Sequence, residues 1–246
     1  MIFRTYGNNT LPSLMLIHGM ANTAELCYGR IVPYLDQYHV ILCELDGHSE
    51  QETGLFLSIA DSCEKIERYV AQNLNGRLFG LLGFSLGGTI AVELMTRQRI
   101  RIEKAILDAA FCVKMGALAP IFTKAFCWAI GRIKTGKTIP AFLIESVMGK
   151  GNSGIVDTLW RGIDLRSVRN VCREVYGYEV GSGLTCYPGE VAFWHGSNEF
   201  YPPKTAALLQ KSLPQMTVEA FAGMGHGQFL NEQPEEYAVR MKLSLC

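Results

Sequence analysis

The sequence carries the stretch LLGFSLGG at residues 81–88, where an apolar, strand-like run meets the start of a helix-like segment. Gly83, Ser85 and Gly87 match the G-x-S-x-G pattern in the strand–turn–helix setting that this pattern requires. In so tight a turn, side chains two residues before and after the serine would collide with neighbouring backbone, which accounts for both glycines. A glycine turn with an incidental serine is the alternative interpretation, but the setting favours a nucleophilic Ser85.

Strand-like and helix-like segments alternate on both sides of this turn. Short apolar runs predict buried strands at residues 14–17, 40–45, 78–82, 104–107 and 191–194, and a period of two predicts another at 216–221. Helical spacing with start and stop signals predicts helices at residues 24–35, 58–74, 86–97, 203–213 and 234–243, the first of them interrupted by Pro33. This order predicts an α/β fold, in which helices cover both faces of a mostly parallel sheet.

One long segment breaks the alternation. Residues 109–185 contain helix-like stretches and loops but no convincing strand. We therefore expect an α/β core formed by residues 1–108 and 186–246, with a helical cap of residues 109–185 inserted into it. Between residues 112 and 170 there are nine basic and three acidic residues, a net charge of +6. We expect an apolar face of this cap to line an acyl pocket, and some of the cations to attract an anionic substrate.

A serine hydroxyl becomes a good nucleophile only when a base takes its proton, so the hypothesis requires a histidine that can reach Ser85. His226 lies in GMGHG at residues 223–227, between the last predicted strand and the last predicted helix. The flanking glycines let this loop place the imidazole over the edge of the sheet. For the other histidines we expect structural roles at His18 and His195, a surface position at His39, and a weaker alternative base at His48.

The base in turn needs a carboxylate that fixes its tautomer and stabilises the imidazolium. Glu199 lies in GSNEFYP at residues 196–202, directly after the penultimate strand. Asp108, at the end of the strand before the insertion, is the competing candidate. Position alone leaves the two carboxylates nearly even.

These motifs together resemble those of the α/β-hydrolase fold superfamily. The match runs from about Leu14 to the end of the chain, except within the cap. Its parts are the His18-Gly19 turn, DGHS at residues 46–49, the Ser85 turn, the 196–202 loop and the His226 loop. The order of nucleophile, acid and base along the chain also agrees with that superfamily.

The resemblance implies that Ser85 is the nucleophile, Glu199 the acid and His226 the base. It also implies an oxyanion hole formed by the backbone N–H groups of Met20 and Leu86. The chain departs from the usual pattern in its acid, which is Glu rather than the shorter Asp. The loop at residues 46–49 is short, and at most one short strand precedes Gly7, so we expect a small version of the fold.

Composition excludes several classes of protein. The chain of 246 residues has 23 basic and 23 acidic side chains, so it has no overall attraction to nucleic acid or anionic lipid. No run of about 18 apolar residues and no signal-like N-terminus is present, so we expect a cytoplasmic protein without a membrane span. Eight cysteines without a C-x-x-C pair are expected to be reduced thiols.

A second motif would indicate nucleotide binding. GRIKTGKT at residues 131–138 satisfies the phosphate-binding pattern G-x-x-x-x-G-K-[ST]. That loop should follow a strand, whereas the preceding residues have a helical pattern and Pro140 falls where a helix should start. We therefore expect no nucleotide cofactor, and since no metal-binding motif is present, no metal.

The sequence thus predicts a serine hydrolase that cleaves a small or medium carboxylic ester, thioester or amide of a small-molecule acyl substrate, without a cofactor. The same residues could serve an acyltransferase or a carbon–carbon bond hydrolase. A ligand-binding protein without catalysis is the alternative from a different class.

Overall fold

The computed structural model describes residues 1–51 and 54–246. Within these residues seven strands form one sheet in the order β1-β3-β2-β4-β5-β6-β7. The edge strand β1 is antiparallel to β3, and all other neighbours are parallel. The strands are β1 Ile2–Tyr6, β2 Ser13–Ile17, β3 His39–Glu44, β4 Arg77–Phe84, β5 Arg101–Asp108, β6 Glu190–Gly196 and β7 Thr217–Phe221.

Nine α-helices occur in the same described ranges. They are α1 Ala24–Tyr28, α2 Ile59–Asn73, α3 Leu86–Arg97, α4 Ala119–Lys134, α5 Ala141–Met148, α6 Leu165–Gly177, α7 Pro202–Leu209, α8 Gln228–Glu232 and α9 Pro234–Leu245. The predicted α/β fold with a mostly parallel sheet is therefore confirmed. Among the described helices, none is both long and apolar enough to cross a membrane.

Both faces of the sheet are buried, as the apolar strand sequences predict. Along β2, Leu14 and Leu16 belong to one apolar cluster and Met15 and Ile17 to another, because successive side chains point to opposite faces. Helices α2 and α3 cover one of these faces, and α1 and α9 cover the other. Because all neighbouring strands from β3 to β7 are parallel, their carboxyl ends lie along the same edge of the sheet.

Two predicted helices are shorter in the structure, and one helix was not predicted. The first helix ends at Tyr28 instead of residue 35, since Gly29 caps it and Pro33 then forms a separate 3₁₀ turn at Val32–Tyr34. The seventh helix ends at Leu209 and continues only as turns. The five-residue helix α8 was not predicted, because one turn and a half is too short to show an apolar period.

The described segment 109–185 contains α4, α5 and α6 with short 3₁₀ turns and no strand. Ile130 and Ile133 of α4 form a separate apolar cluster with Val168 of α6. Val171 and Val175 of the same helix α6 join the cluster that covers the sheet. The proposed division into a core of residues 1–108 and 186–246 and a cap of residues 109–185 stays a prediction.

The phosphate-loop pattern at residues 131–138 lies in the last turn of α4 and the turn after it. Gly136 adopts a φ of 72° there, which is an ordinary way to leave a helix. A helix therefore precedes this pattern, in place of the strand that a phosphate-binding loop requires.

Candidate active site

Ser85 alone forms the turn between β4 and α3, and its backbone is strained. Its φ is 53° and its ψ is −112°, a conformation that costs a non-glycine residue about 1–3 kcal/mol. The backbone holds it there: Ser85 N–H donates to Asp108 O at 2.8 Å, and Thr89 N–H donates to Ser85 O at 3.1 Å. Surrounding structure thus determines where this hydroxyl projects.

Both flanking glycines are required by close backbone approach. A Cβ atom on Gly83 would overlap the carbonyl oxygen of Gly87, and one on Gly87 would overlap the carbonyl oxygen of Ile17. Moving a side chain could not relieve either clash, because the overlapping atoms belong to the backbone. The turn therefore needs glycine at both positions.

Glu199 and His226 form a buried pair beside this turn. The His226 Nδ1 atom lies 2.7 Å from Glu199 Oε2, and Gly196 N–H donates to Glu199 Oε1 at 2.8 Å. The Glu199 residue is 4% exposed and His226 is 7% exposed. With Nδ1 occupied by the carboxylate, Nε2 is the ring nitrogen left to face another group.

The carboxyl end of α5 and the turn after it fix the loops that carry this pair. His226 N–H donates to Met148 O at 2.7 Å, and Asn152 Nδ2 donates to His226 O at 2.8 Å. Asn198, next to Glu199, donates through Nδ2 to Lys150 O at 3.1 Å. The segment 109–185 therefore holds the loops of Glu199 and His226 in place.

Asp108, the competing carboxylate, is bonded elsewhere. Its Oδ2 atom accepts a hydrogen bond of 2.8 Å from the Tyr237 hydroxyl, and the residue is 6% exposed. Burial raises the pKa of Asp108 to about 7, opposed by the Tyr237 hydrogen bond and assisted by the negative charge of Glu199. The structure thus brings Glu199, and not Asp108, to His226 Nδ1.

Ser85 and His226 line one cavity of about 380 Å³. Most of its wall is apolar: α4 contributes Phe122 and Phe126, and Leu118 precedes that helix. Among the described residues that line it, the charged side chains are two cations, Lys114 and Lys204. A larger cavity of about 510 Å³ lies near the amino ends of β5 to β7, away from these residues.

Of the two groups expected to hold an oxyanion, one belongs to a residue that lines the cavity and the other to the residue that directly follows Ser85. Met20 lines it directly, and the preceding Gly19 lies so close to Ser85 that a Cβ atom there would stand 3.3 Å from Ser85 Cβ. Leu86 is the first residue of α3, where a backbone N–H has no acceptor within its own helix.

The other histidines serve the fold. His18 Nε2 accepts from Leu45 N–H at 3.1 Å, so its Nδ1 carries the proton and donates to Gly19 O at 2.7 Å. Burial lowers the pKa of His18 to about 3. His195 bonds Gly196 O through Nδ1 at 2.8 Å, which agrees with the structural roles expected for both.

The expectation for His39 was wrong, and His48 lies outside the cavity wall. His39 is only 7% exposed, because β3 lies between two neighbours in the sheet and all its residues are buried. His48 packs between the rings of His18 and Phe56, and burial lowers its pKa to about 4.

Sequence reasoning assigned no role to Tyr201. Its hydroxyl lies 2.9 Å from His226 Nδ1, and its ring borders the same cavity as Ser85. The sequence signal was its position two residues after Glu199, which says nothing about where a hydroxyl points.

The raised pKa of Asp108 predicts a pH dependence of folding stability. Because its pKa in the folded chain exceeds the ordinary value of about 4, its stabilising contribution is complete below about pH 4 and is lost as the pH rises through about 7. The Asp108→Asn variant keeps an oxygen for the Tyr237 hydroxyl but cannot ionise. We expect urea unfolding to show a smaller loss of stability between about pH 5 and pH 8 for this variant than for the wild type. Equal losses in the two proteins would contradict the assignment.

Comparison with known proteins agrees with this architecture. Residues 12–134 match the sequence family described as alpha/beta hydrolase fold. Over 254 aligned residues, 95% of this chain and 94% of the relative, the sequence is 23% identical to the pimeloyl-[acyl-carrier protein] methyl ester esterase of Nitrosomonas europaea.

Two solved structures share the fold over nearly the whole chain. A protein of Desulfitobacterium hafniense ascribed to the alpha/beta hydrolase family superposes with a TM-score of 0.89 at 22% identity, and all of both chains is covered. A structure reported with the carboxylesterases of Nitrososphaera gargenis superposes with a TM-score of 0.77 at 15% identity, covering 98% of this chain and 93% of that one. The matched sequence family spans half of the chain, and the chain belongs to the α/β-hydrolase fold family.

Proposed function

We propose that the protein is a serine hydrolase that cleaves a small or medium carboxylic ester through an acyl-enzyme. The observation that carries the proposal is the meeting, in one cavity, of Ser85 on its strained turn and of His226, whose Nδ1 atom is bonded to a buried carboxylate. Esterase names among the relatives support the choice of an ester over an amide.

In the proposed reaction, His226 Nε2 takes the proton of Ser85 as its Oγ attacks the carbonyl carbon of the ester. The backbone N–H groups of Met20 and Leu86 donate to the oxyanion that develops. The tetrahedral intermediate then expels the alcohol, which receives the proton from His226. Water deprotonated by His226 attacks the acyl-enzyme in the second half, and it releases the carboxylic acid and restores Ser85.

Glu199 has the role of orienting the base. Its bond to Nδ1 selects the tautomer in which Nε2 lacks a proton, and its negative charge stabilises the imidazolium. The Gly196 N–H bond to its second oxygen holds this buried carboxylate in place.

An apolar acyl group fits the cavity wall. Phe122 and Phe126 lie four residues apart on α4 and both border the cavity, so one face of this helix supplies apolar surface. Every cysteine lies in a described part of the chain and all eight are free, which supports the finer proposal of a reducing, cytoplasmic setting.

The first test removes the proposed nucleophile. Ser85→Ala should lower kcat for a p-nitrophenyl ester by on the order of 10³-fold or more, since only the attacking hydroxyl is lost. The control is Ser146→Ala, whose hydroxyl is on α5 and bonds Leu143 O, and which should retain full activity. Both proteins should unfold at the wild-type temperature. Substantial turnover by Ser85→Ala would contradict the assignment of Ser85 as the nucleophile.

A second test ranks the two buried carboxyls. Glu199→Gln should lower kcat by about 10²-fold or more, because the imidazolium loses its counter-charge. Asp108→Asn should be less damaging, because the Asp108 carboxyl is bonded to Tyr237 and not to His226. The reverse ranking, measured on the same ester, would move the acid to Asp108.

A third test addresses the acyl site. The value of kcat/KM for neutral esters should rise as the acyl chain lengthens beyond acetate, by about tenfold per 1.4 kcal/mol of added burial. Phe122→Ala should flatten this rise. The control Ile121→Ala should not, because Ile121 is 64% exposed on α4 and does not line the cavity. A flat or falling series in the wild type would refute an apolar acyl site.

The cations of the cap give a separate prediction. For an anionic ester, kcat/KM should fall as the ionic strength rises. A kcat/KM that does not change with salt would contradict steering of the substrate by these cations.

A further inference from the structure

The Tyr201 hydroxyl is placed between the proposed acid and base. It lies 2.9 Å from His226 Nδ1, the same nitrogen that lies 2.7 Å from Glu199 Oε2. The backbone of Tyr201 is held at the start of α7, where its carbonyl accepts from Lys204 N–H at 3.0 Å and from Thr205 N–H at 3.2 Å. Its ring packs against Phe111 with 4.8 Å between centroids. The hydroxyl is therefore held in one position.

Counting protons decides what this hydroxyl does. When Nε2 of His226 acts as the base, the single ring proton is on Nδ1 and is donated to Glu199. A protonated Nδ1 cannot accept, so the Tyr201 proton must go to another acceptor, and Glu199 is the neighbouring one. Burial and the negative charge of Glu199 both raise the pKa of Tyr201 well above its usual value, so the hydroxyl keeps its proton and stays a donor.

Glu199 is then the acceptor for three donors: the Gly196 N–H on Oε1, the His226 N–H on Oε2, and the Tyr201 O–H. A glutamate has one more rotatable bond than the aspartate that is usual in this loop, so more rotamer freedom must be removed to hold it against an imidazole. A third donor with a fixed position supplies that restraint.

We propose that Tyr201 is a positioning residue, which holds the long side chain of Glu199 in register with His226 through its hydroxyl. This inference rests on the proposed function, because it assigns Tyr201 an effect on that reaction. The residue acts through Glu199 and His226 and takes no part in bond making.

The kinetic test compares two tyrosines whose hydroxyls each lie beside a glutamate, Tyr201 at the proposed site and Tyr178 away from it. Tyr201→Phe should lower kcat about tenfold or more and leave KM nearly unchanged, since a hydrogen bond to a charged group is lost and the cavity wall is kept. The control is Tyr178→Phe, whose hydroxyl donates to Glu93 Oε2 at 3.0 Å and whose side chain does not line the cavity of Ser85. We expect this control to leave kcat unchanged. Wild-type kcat in Tyr201→Phe would overturn the proposal.

A pH profile separates positioning from packing. Without the Tyr201 donor the charge of Glu199 is less neutralised, so the imidazolium is favoured and the acidic limb of kcat/KM should move to higher pH. The other titratable groups that face Tyr201 are Asp108 and Tyr176, and both are unchanged in this variant. A lower kcat with an unmoved acidic limb would indicate packing alone and overturn the proposal.

A double-mutant cycle tests the route of the effect. If Tyr201 acts through Glu199, its substitution should have little further effect on kcat in a Glu199→Gln background. An undiminished effect there would contradict the proposal. Should Tyr201→Phe fail to fold, Tyr201→Met removes the same hydroxyl and is measured in its place.

A readout without turnover keeps this inference separate from the proposed function. The Nδ1 proton of His226 in the unliganded protein should change its resonance frequency in a nitrogen-edited proton spectrum of Tyr201→Phe, and should not change in Tyr178→Phe. An unchanged frequency would reject Tyr201 even if esterase activity is found. A changed frequency in a protein without Ser85-dependent esterase activity would instead leave Tyr201 in place and reject the proposed function.

Discussion

The backbone crossing at Ser85 is the constraint on which the rest of the site depends. Ser85 can hold a φ of 53° only because Gly83 and Gly87 let the carbonyls of Gly87 and Ile17 approach within contact distance. This crossing joins the central strand β4 to α3 and brings the loop after β2 alongside the serine. An alanine at either glycine would push β2 or α3 outward, and Met20, Ser85 and Leu86 would separate.

The opposite wall of the site depends on a second set of backbone contacts. The loops after β6 and β7 carry Glu199 and His226. The end of α5 and the turn after it are bonded to both loops through Met148, Lys150 and Asn152. The proposed cap and the proposed base therefore form one connected unit. A substrate that displaces α5 would also shift His226, so acyl-group fit and base position are physically coupled in this chain.

Local sequence patterns predicted most of the strands and helices, because short-range preferences and the burial of apolar residues determine them. The strand β2 is short, apolar and buried on both faces, and helix α3 occupies the predicted residues 86–97. The chain positions of Ser85, Glu199 and His226 could be inferred from the turn and loops around them. Their side-chain contacts could not, since those depend on how separate loops fold over one edge of the sheet. His39 and Tyr201 show the limit: neighbouring strands bury the first, and a loop conformation brings the second to His226.

The most direct measurement of the central claim is covalent labelling with a fluorophosphonate, followed by peptide mapping by mass spectrometry. We predict one adduct per chain, on Ser85, formed more slowly in His226→Ala and absent in Ser85→Ala. Labelling of another residue, or no labelling of the folded wild-type protein, would contradict the proposal that Ser85 is a nucleophile activated by His226.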